Sequence, residues 1–150
     1  RFLATETYQA FKRGLLRHGF TLRDEQLVEA QLCAFDSPQR SETLFAEGRL
    51  RLCANLIPHQ RALERELTAG LVRLLDFHRR GCRPPDCAEL VCSELRALHL
   101  SGTCTRGLIK PNCFREAALT AAARYGGCFG ADAAGLIVRA MPGCLADLDR

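Results

Sequence analysis

The segment from Leu71 to Cys92 contains three side chains of the types that bind zinc. His78, Cys82 and Cys87 form an H-x3-C-x4-C pattern. Structural zinc ions take imidazole nitrogens and thiolates in a closed tetrahedral shell. His78 and Cys82 are four residues apart, so a helix that continues between them places both on one face. The pattern therefore predicts three ligands of one ion, and a fourth ligand must lie elsewhere.

The residues between these ligands predict a helix end followed by a helix start. Pro84 and Pro85 each restrict the residue before them to extended conformations, which ends the first helix near Cys82. Asp86 is a suitable N-cap, and Glu89 three positions later completes a capping box. Cys87 then lies in the first turn of the next helix, where the helix dipole favours a thiolate.

Apolar residues at helical spacing predict an all-α fold of about seven helices with almost no strand. We expect a single domain over residues 1–150, with the zinc-type motif at residues 78–87. The first residue is Arg rather than Met, so we expect a piece of a longer protein. The predicted helices are Thr5–His18, Thr21–Phe35, Ser41 to just before Pro58, Gln60–Cys82, Cys87–Leu100, Phe114–Tyr125 and Ala131–Met141.

This helix order favours Cys33 as the fourth zinc ligand. A tight turn at Pro58 makes the third and fourth helices antiparallel, so Cys53 lies about 20 Å from His78 along the fourth helix. Cys33 falls at the end of the second helix, on the side where His78 lies. The other candidates stay open: Cys53, Cys92, Cys104, Cys113, or a residue outside this sequence.

The same region resembles the C-terminal signature of the herpesvirus mRNA export factors, which are immediate-early post-transcriptional regulators. The matching residues are Ala69-Gly70-Leu71-Val72, Leu75-Asp76, His78-Arg79, Cys82, Cys87 and Glu89-Leu90. In that family the histidine and two cysteines belong to a CHCC zinc-type site that a distant upstream cysteine completes. The resemblance therefore strengthens the prediction of a structural zinc ion bound by His78, Cys82, Cys87 and Cys33.

The resemblance implies a non-catalytic dimerisation and protein-interaction domain. Such a domain promotes nuclear export and expression of intronless viral mRNA. The implied partners are a second copy of the chain, host mRNA export adaptors and the transcription machinery. RNA would bind mainly through segments outside this sequence, and a membrane would not be involved. The implied location is the host nucleus, with shuttling to the cytoplasm.

Two other classes of function remain open. One is a metal-free helical viral adaptor or tegument-type protein whose cysteines fill the core, because cysteine is among the most buried residue types. The other is a zinc-dependent or thiol enzyme. The H-E-x-x-H, G-x-S-x-G and phosphate-loop motifs are all absent from the sequence.

Composition is typical of a globular protein and excludes little. The net charge is +4, and 19 of the 21 basic residues are arginine. Nine cysteines without a signal sequence favour thiols in a reducing compartment over a disulfide framework. No apolar run approaches the length of a membrane span.

Overall fold

The structure is a computed structural model that describes residues 2–37, 40–81, 86–104, 113, 135, 139 and 142–144. The chain divides into two compact units, residues 1–83 and 84–150. In the described residues the elements are α1 Glu6–Arg17, β1 Val28–Gln31, β2 Ser41–Leu44, β3 Arg49–Cys53, α2 Gln60–Arg79 and α3 Cys87–Leu100, with short 3-10 segments at Phe2–Ala4, Asp24–Gln26 and Ala54–Leu56. The prediction of an all-α fold with about seven helices is therefore wrong, because the first unit contains a sheet.

The three predicted helices that carry clear caps are confirmed. The Thr5 side chain accepts a hydrogen bond from the Tyr8 amide at the start of α1. His59 caps α2 through Nδ1, which accepts from the Ala62 amide. Asp86 and Glu89 form the expected capping box at the start of α3. These contacts satisfy amide groups that lack partners within a helix, so they fix where each helix begins.

Strands replace the second and third predicted helices. The three-stranded sheet has the order β1-β3-β2, with β1 parallel and β2 antiparallel to β3. In β3, buried Leu50 and Leu52 alternate with half-buried Arg49 and Arg51, which is the period of two of a strand with one buried face. The β2–β3 turn includes Gly48 at φ +64°, a conformation that glycine adopts at little cost.

The sheet packs on α2 through its leucine face. Leu50 of β3 approaches Gly70 of α2, and the Ser41 hydroxyl of β2 donates a hydrogen bond to Glu66 of the same helix. Helix α1 also contacts α2, with Gly14 next to Leu75. The core of this unit is almost entirely aliphatic, and its buried residues are Tyr8, Leu15, Leu22, Leu27, Leu50, Leu52, Leu67, Leu71, Leu74 and Leu75.

The second unit is described only in part. Helix α3 buries Leu90, Val91, Leu95 and Ala97. The predicted helices Phe114–Tyr125 and Ala131–Met141 lie outside the described residues, apart from residues 135 and 139, which are helical. Residues 142–144 are also helical. In the described part of the chain, no helix combines the length and apolarity that a bilayer crossing needs.

Candidate functional site

His78 lies against aromatic rings near the end of α2. Its imidazole stacks on Phe20 with ring centroids 4.1 Å apart, and the Phe77 ring meets it edge-on at 5.5 Å. Burial, with a smaller contribution from His18, lowers the pKa of His78. A half-buried imidazole of this kind is neutral at physiological pH and contributes to packing.

Cys33 and Cys53 form a disulfide with Cα atoms 5.3 Å apart. The pairing follows from the sheet, because β1 and β3 are parallel neighbours and Gln31 is in register with Cys53. Cys33 follows just after the carboxyl end of β1 and Cys53 ends β3, so the two sulfur atoms meet where these parallel strands end. Both residues were predicted to lie on helices, and those helices placed them apart.

The other described cysteines are also oxidised. Cys92 pairs with Cys144, Cys104 pairs with Cys113, and Cys87 is disulfide-bonded. Metal binding by cysteine requires a thiolate. Cys82 lies outside the described residues, and among those described no three His, Cys, Asp or Glu side chains are placed to hold a metal ion. The ligand set His78, Cys82, Cys87 and Cys33 stays a prediction, which requires reduction of these disulfides.

The first unit contains a surface cavity of about 610 Å³. Its wall includes Leu27, which is 1% exposed, and Leu63 and Leu67 from one side of α2. The described part of its lining has three charged groups, the carboxylates of Asp24, Glu25 and Glu64. Ligand pockets typically enclose about 300–1,000 Å³ with a mainly apolar lining and a few polar groups, so the cavity has the size and chemistry of a binding site.

A half-buried hydrogen-bond network supports one wall of this cavity. The Tyr8 hydroxyl donates to Asp24 Oδ1 at 2.6 Å, and Lys12 Nζ contacts the same oxygen at 2.6 Å. The hydrogen bond from Lys12, followed by the bond from Tyr8, lowers the pKa of Asp24. Burial, followed by the bond to Asp24, raises the pKa of Tyr8 above its ordinary value. Asp24 is therefore an ionised carboxylate held in place by Tyr8, and Lys12 balances its charge. Glu25 and Glu64 supply the net charge of the cavity.

Strand β1 starts beside the cavity and forms an edge of the sheet. Val28 lines the cavity and is 43% exposed. Beyond the strand, Leu32 and Phe35 are 83% and 89% exposed. We call Val28, Leu32 and Phe35 the β1 apolar surface. All three were predicted to lie on the helix Thr21–Phe35, so this surface was missed. The sequence carried no local sign of it, because Glu, Ala and Gln in the V-E-A-Q run favour helices.

Comparison with known proteins identifies the family. The Peptidase M76 family matches over residues 2–149. The chain belongs to the Peptidase M76 family. No curated protein and no solved structure matches it.

Membership of the Peptidase M76 family overturns the resemblance to herpesvirus mRNA export factors. Several of the described residues behind that resemblance serve packing and capping in this fold. Leu71, Val72 and Asp76 are buried in α2, and Gly70 permits close contact with Leu50. Leu90 is buried in α3, where Glu89 completes the capping box. An apolar helix followed by a capped helix therefore reproduced most of the signature without its function.

Several further predictions are wrong for the same reason. The chain is a peptidase-family protein and not the dimerisation domain of a viral regulator of mRNA export, so the RNA-binding and herpesvirus assignments are also wrong. The prediction of a non-enzyme is wrong as well, because family membership implies possible peptidase activity. The predicted homodimer, the predicted host partners and the predicted nuclear location stay predictions.

Members of the Peptidase M76 family are metallopeptidases, so a metal is compatible with the family assignment. One common metallopeptidase site uses H-E-x-x-H, with two histidines one helical turn apart and a glutamate as general base. The four histidines of this chain are His18, His59, His78 and His99, and no two of them are four residues apart. The chain does not provide a zinc site of that type, and we derive no catalytic step through one.

Proposed function

We propose that this peptidase-family chain recognises extended polypeptide segments, which add as a strand to the outer edge of β1. The observation that carries this proposal is the position of β1 at the edge of the sheet. Strand addition to an open sheet edge is a recurring way in which proteins hold extended peptides. A polypeptide ligand is also what membership of a peptidase family leads us to expect.

The backbone of β1 has groups available for such pairing. The Leu27 carbonyl accepts a hydrogen bond from the Leu50 amide of β3. Because a trans peptide directs its C=O and N–H to opposite sides, the Val28 amide points away from β3. Strand groups alternate in direction, so the Ala30 amide points the same way. Among the described residues, no strand pairs with this side of β1.

Side chains distinguish β1 from the other sheet edge. Both edge strands have four residues, so their length does not distinguish them. Lysine and proline are two other features that protect exposed edges. The V-E-A-Q sequence of β1 contains neither lysine nor proline, and three of its four residues are exposed. In β2, by contrast, three of four residues are half-buried, and Ser41 bonds to α2. The β1 apolar surface adds contact area that a bound strand would cover.

The test is binding of a fluorescently labelled, unstructured polypeptide, measured by anisotropy. Ala30→Pro removes the outward amide, and an edge strand tolerates proline where the amide faces solvent. We expect this variant to lose about tenfold in affinity, or about 1.4 kcal/mol. The matched control Ala30→Val keeps the amide and should bind within about twofold of the native chain. Equal binding by both folded variants would show that the edge is not used.

The structural zinc ion predicted at His78, Cys82, Cys87 and Cys33 is a separate proposal for the reduced protein. Its support is the ligand chemistry of one imidazole and three thiols. Metal analysis of the fully reduced chain tests it.

A further inference from the structure

We infer that the cavity beside β1 selects bound polypeptides that place an apolar side chain next to a lysine or arginine. This inference rests on the proposed function, because it assigns a specificity to the same site. Val28 lines the cavity and is also the first residue of β1. A segment paired with β1 therefore passes the mouth of the cavity.

The floor of the cavity suits an aliphatic or aromatic side chain. Leu27 and Leu67 are buried, while Leu63 and Phe2 are packed against the core as partly buried residues. Burial of an apolar side chain in such surroundings contributes about 25 cal/mol for each Å² removed from water. A polar side chain would lose its hydration without finding enough hydrogen-bond partners along this floor.

The charges at the cavity favour a cation beside that side chain. Glu64 accepts one hydrogen bond from Gln60 at 2.8 Å, and Lys12 already neutralises Asp24. Glu25 makes no ion pair with any described residue. Within the part of the chain that the structure describes, the lining contains carboxylates and no basic residue, although the whole chain carries a net charge of +4. This local reversal of sign favours lysine or arginine and disfavours aspartate or glutamate in the ligand.

Three peptides of equal length test the inference: one with leucine flanked by arginine, one with leucine flanked by glutamate, and one with serine flanked by arginine. We expect the native chain to bind the leucine–arginine peptide about tenfold more tightly than either of the others at low salt. The Glu25→Gln/Glu64→Gln double variant should reduce the arginine-over-glutamate preference to about twofold. Glu42→Gln/Glu47→Gln makes the same change in charge on the β2–β3 hairpin and should keep the preference.

The outcomes separate the two proposals. If all three peptides bind the native chain equally and Ala30→Pro weakens all three, the strand edge is used and the inference about the cavity is overturned. The inference about the cavity is also overturned if the hairpin variant abolishes the preference as fully as the cavity variant does. If Ala30→Pro and Ala30→Val bind the peptides equally, the proposed function fails, and the specificity inference fails with it.

Discussion

A Cβ atom added to Gly70 would lie 2.5 Å from Cδ2 of Leu50. Helix α2 therefore approaches β3 so closely that only a residue without a side chain fits at position 70 with Leu50 in place. Leu50 is 1% exposed and has little room to move. This contact joins the long helix to the sheet, and it gives Gly70 of the Ala69-Gly70-Leu71 run a packing role.

Replacing Gly70 by alanine should destabilise the first unit. Overpacking costs about 1–3 kcal/mol, and the higher helix propensity of alanine returns about 1 kcal/mol, so we expect a net loss of about 1 kcal/mol. Gly14→Ala is the matched control, since its added Cβ would lie 3.3 Å from Leu75. That variant should be neutral or stabilising. Denaturant titration measures both, and equal effects would contradict the close approach of α2 to β3.

The disulfide between Cys33 and Cys53 should stabilise the sheet. Its ends are 20 residues apart, and the chain-entropy relation gives about 3 kcal/mol for a loop of that length. We expect the Cys33→Ser/Cys53→Ser variant to lose a similar free energy of unfolding under oxidising conditions. In reducing buffer the variant and the native chain should have the same stability. A persistent difference would mean that packing by the sulfur atoms, and not the crosslink, provides the effect.

Thiol counting tests the oxidised state itself. Seven of the described cysteines are disulfide-bonded: Cys33, Cys53, Cys87, Cys92, Cys104, Cys113 and Cys144. Six of them form three pairs with one another, so the bond of Cys87 requires an eighth of the nine cysteines. Alkylation of the unreduced, denatured protein should therefore label one thiol at most. Labelling of four or more would show that these bonds are not formed, and would restore the thiolates that the zinc prediction needs.

The Tyr8–Asp24 hydrogen bond predicts a loss of stability at alkaline pH. The folded chain raises the pKa of Tyr8 above its ordinary value of 10.0, so the unfolded chain loses its proton first as the pH rises. The stabilisation is therefore complete below pH 10 and declines above it. Tyr8→Phe should cost about 1.5 kcal/mol at neutral pH. The variant should also lose less stability than the native chain above pH 10. If the free energy of unfolding of both proteins falls equally above pH 10, the Tyr8–Asp24 hydrogen bond is contradicted.

Metal removal should leave polypeptide binding unchanged. In the residues that the structure describes, no three His, Cys, Asp or Glu side chains are placed to hold a metal ion, so a chelator has no such ligand set to empty at the cavity or at β1. The anisotropy assay with and without a strong chelator measures this directly. A large loss of affinity on chelation would place a metal ion within the polypeptide site, contrary to our account.

The helices of this fold were predictable because their caps are local. Thr5 and the Asp86–Glu89 pair determine helix starts within four residues of sequence. The sheet was not, because its strands have only four or five residues and their pairing joins distant positions, as with Gln31 and Cys53. The alternation of Leu50 and Leu52 with Arg49 and Arg51 was the one local sign of a strand.

The candidate site was harder to predict for the same reason. Its cavity combines side chains from a 3-10 segment, a strand and a helix, including Glu25, Val28 and Leu63. None of these residues stands out in the sequence, whereas His78 does. Histidine is a residue type that binds metals, so the sequence suggested a site at the end of α2. In the fold, the His78 imidazole stacks on Phe20 there.

Residue-resolved amide hydrogen exchange tests the strand-edge proposal most directly. With saturating unstructured polypeptide, we predict new protection at the amides of Val28 and Ala30, which point away from β3. The amides of Glu29 and Gln31 point toward β3 and should be protected with or without the ligand. Saturated binding that leaves the exchange of Val28 and Ala30 unchanged would contradict the account.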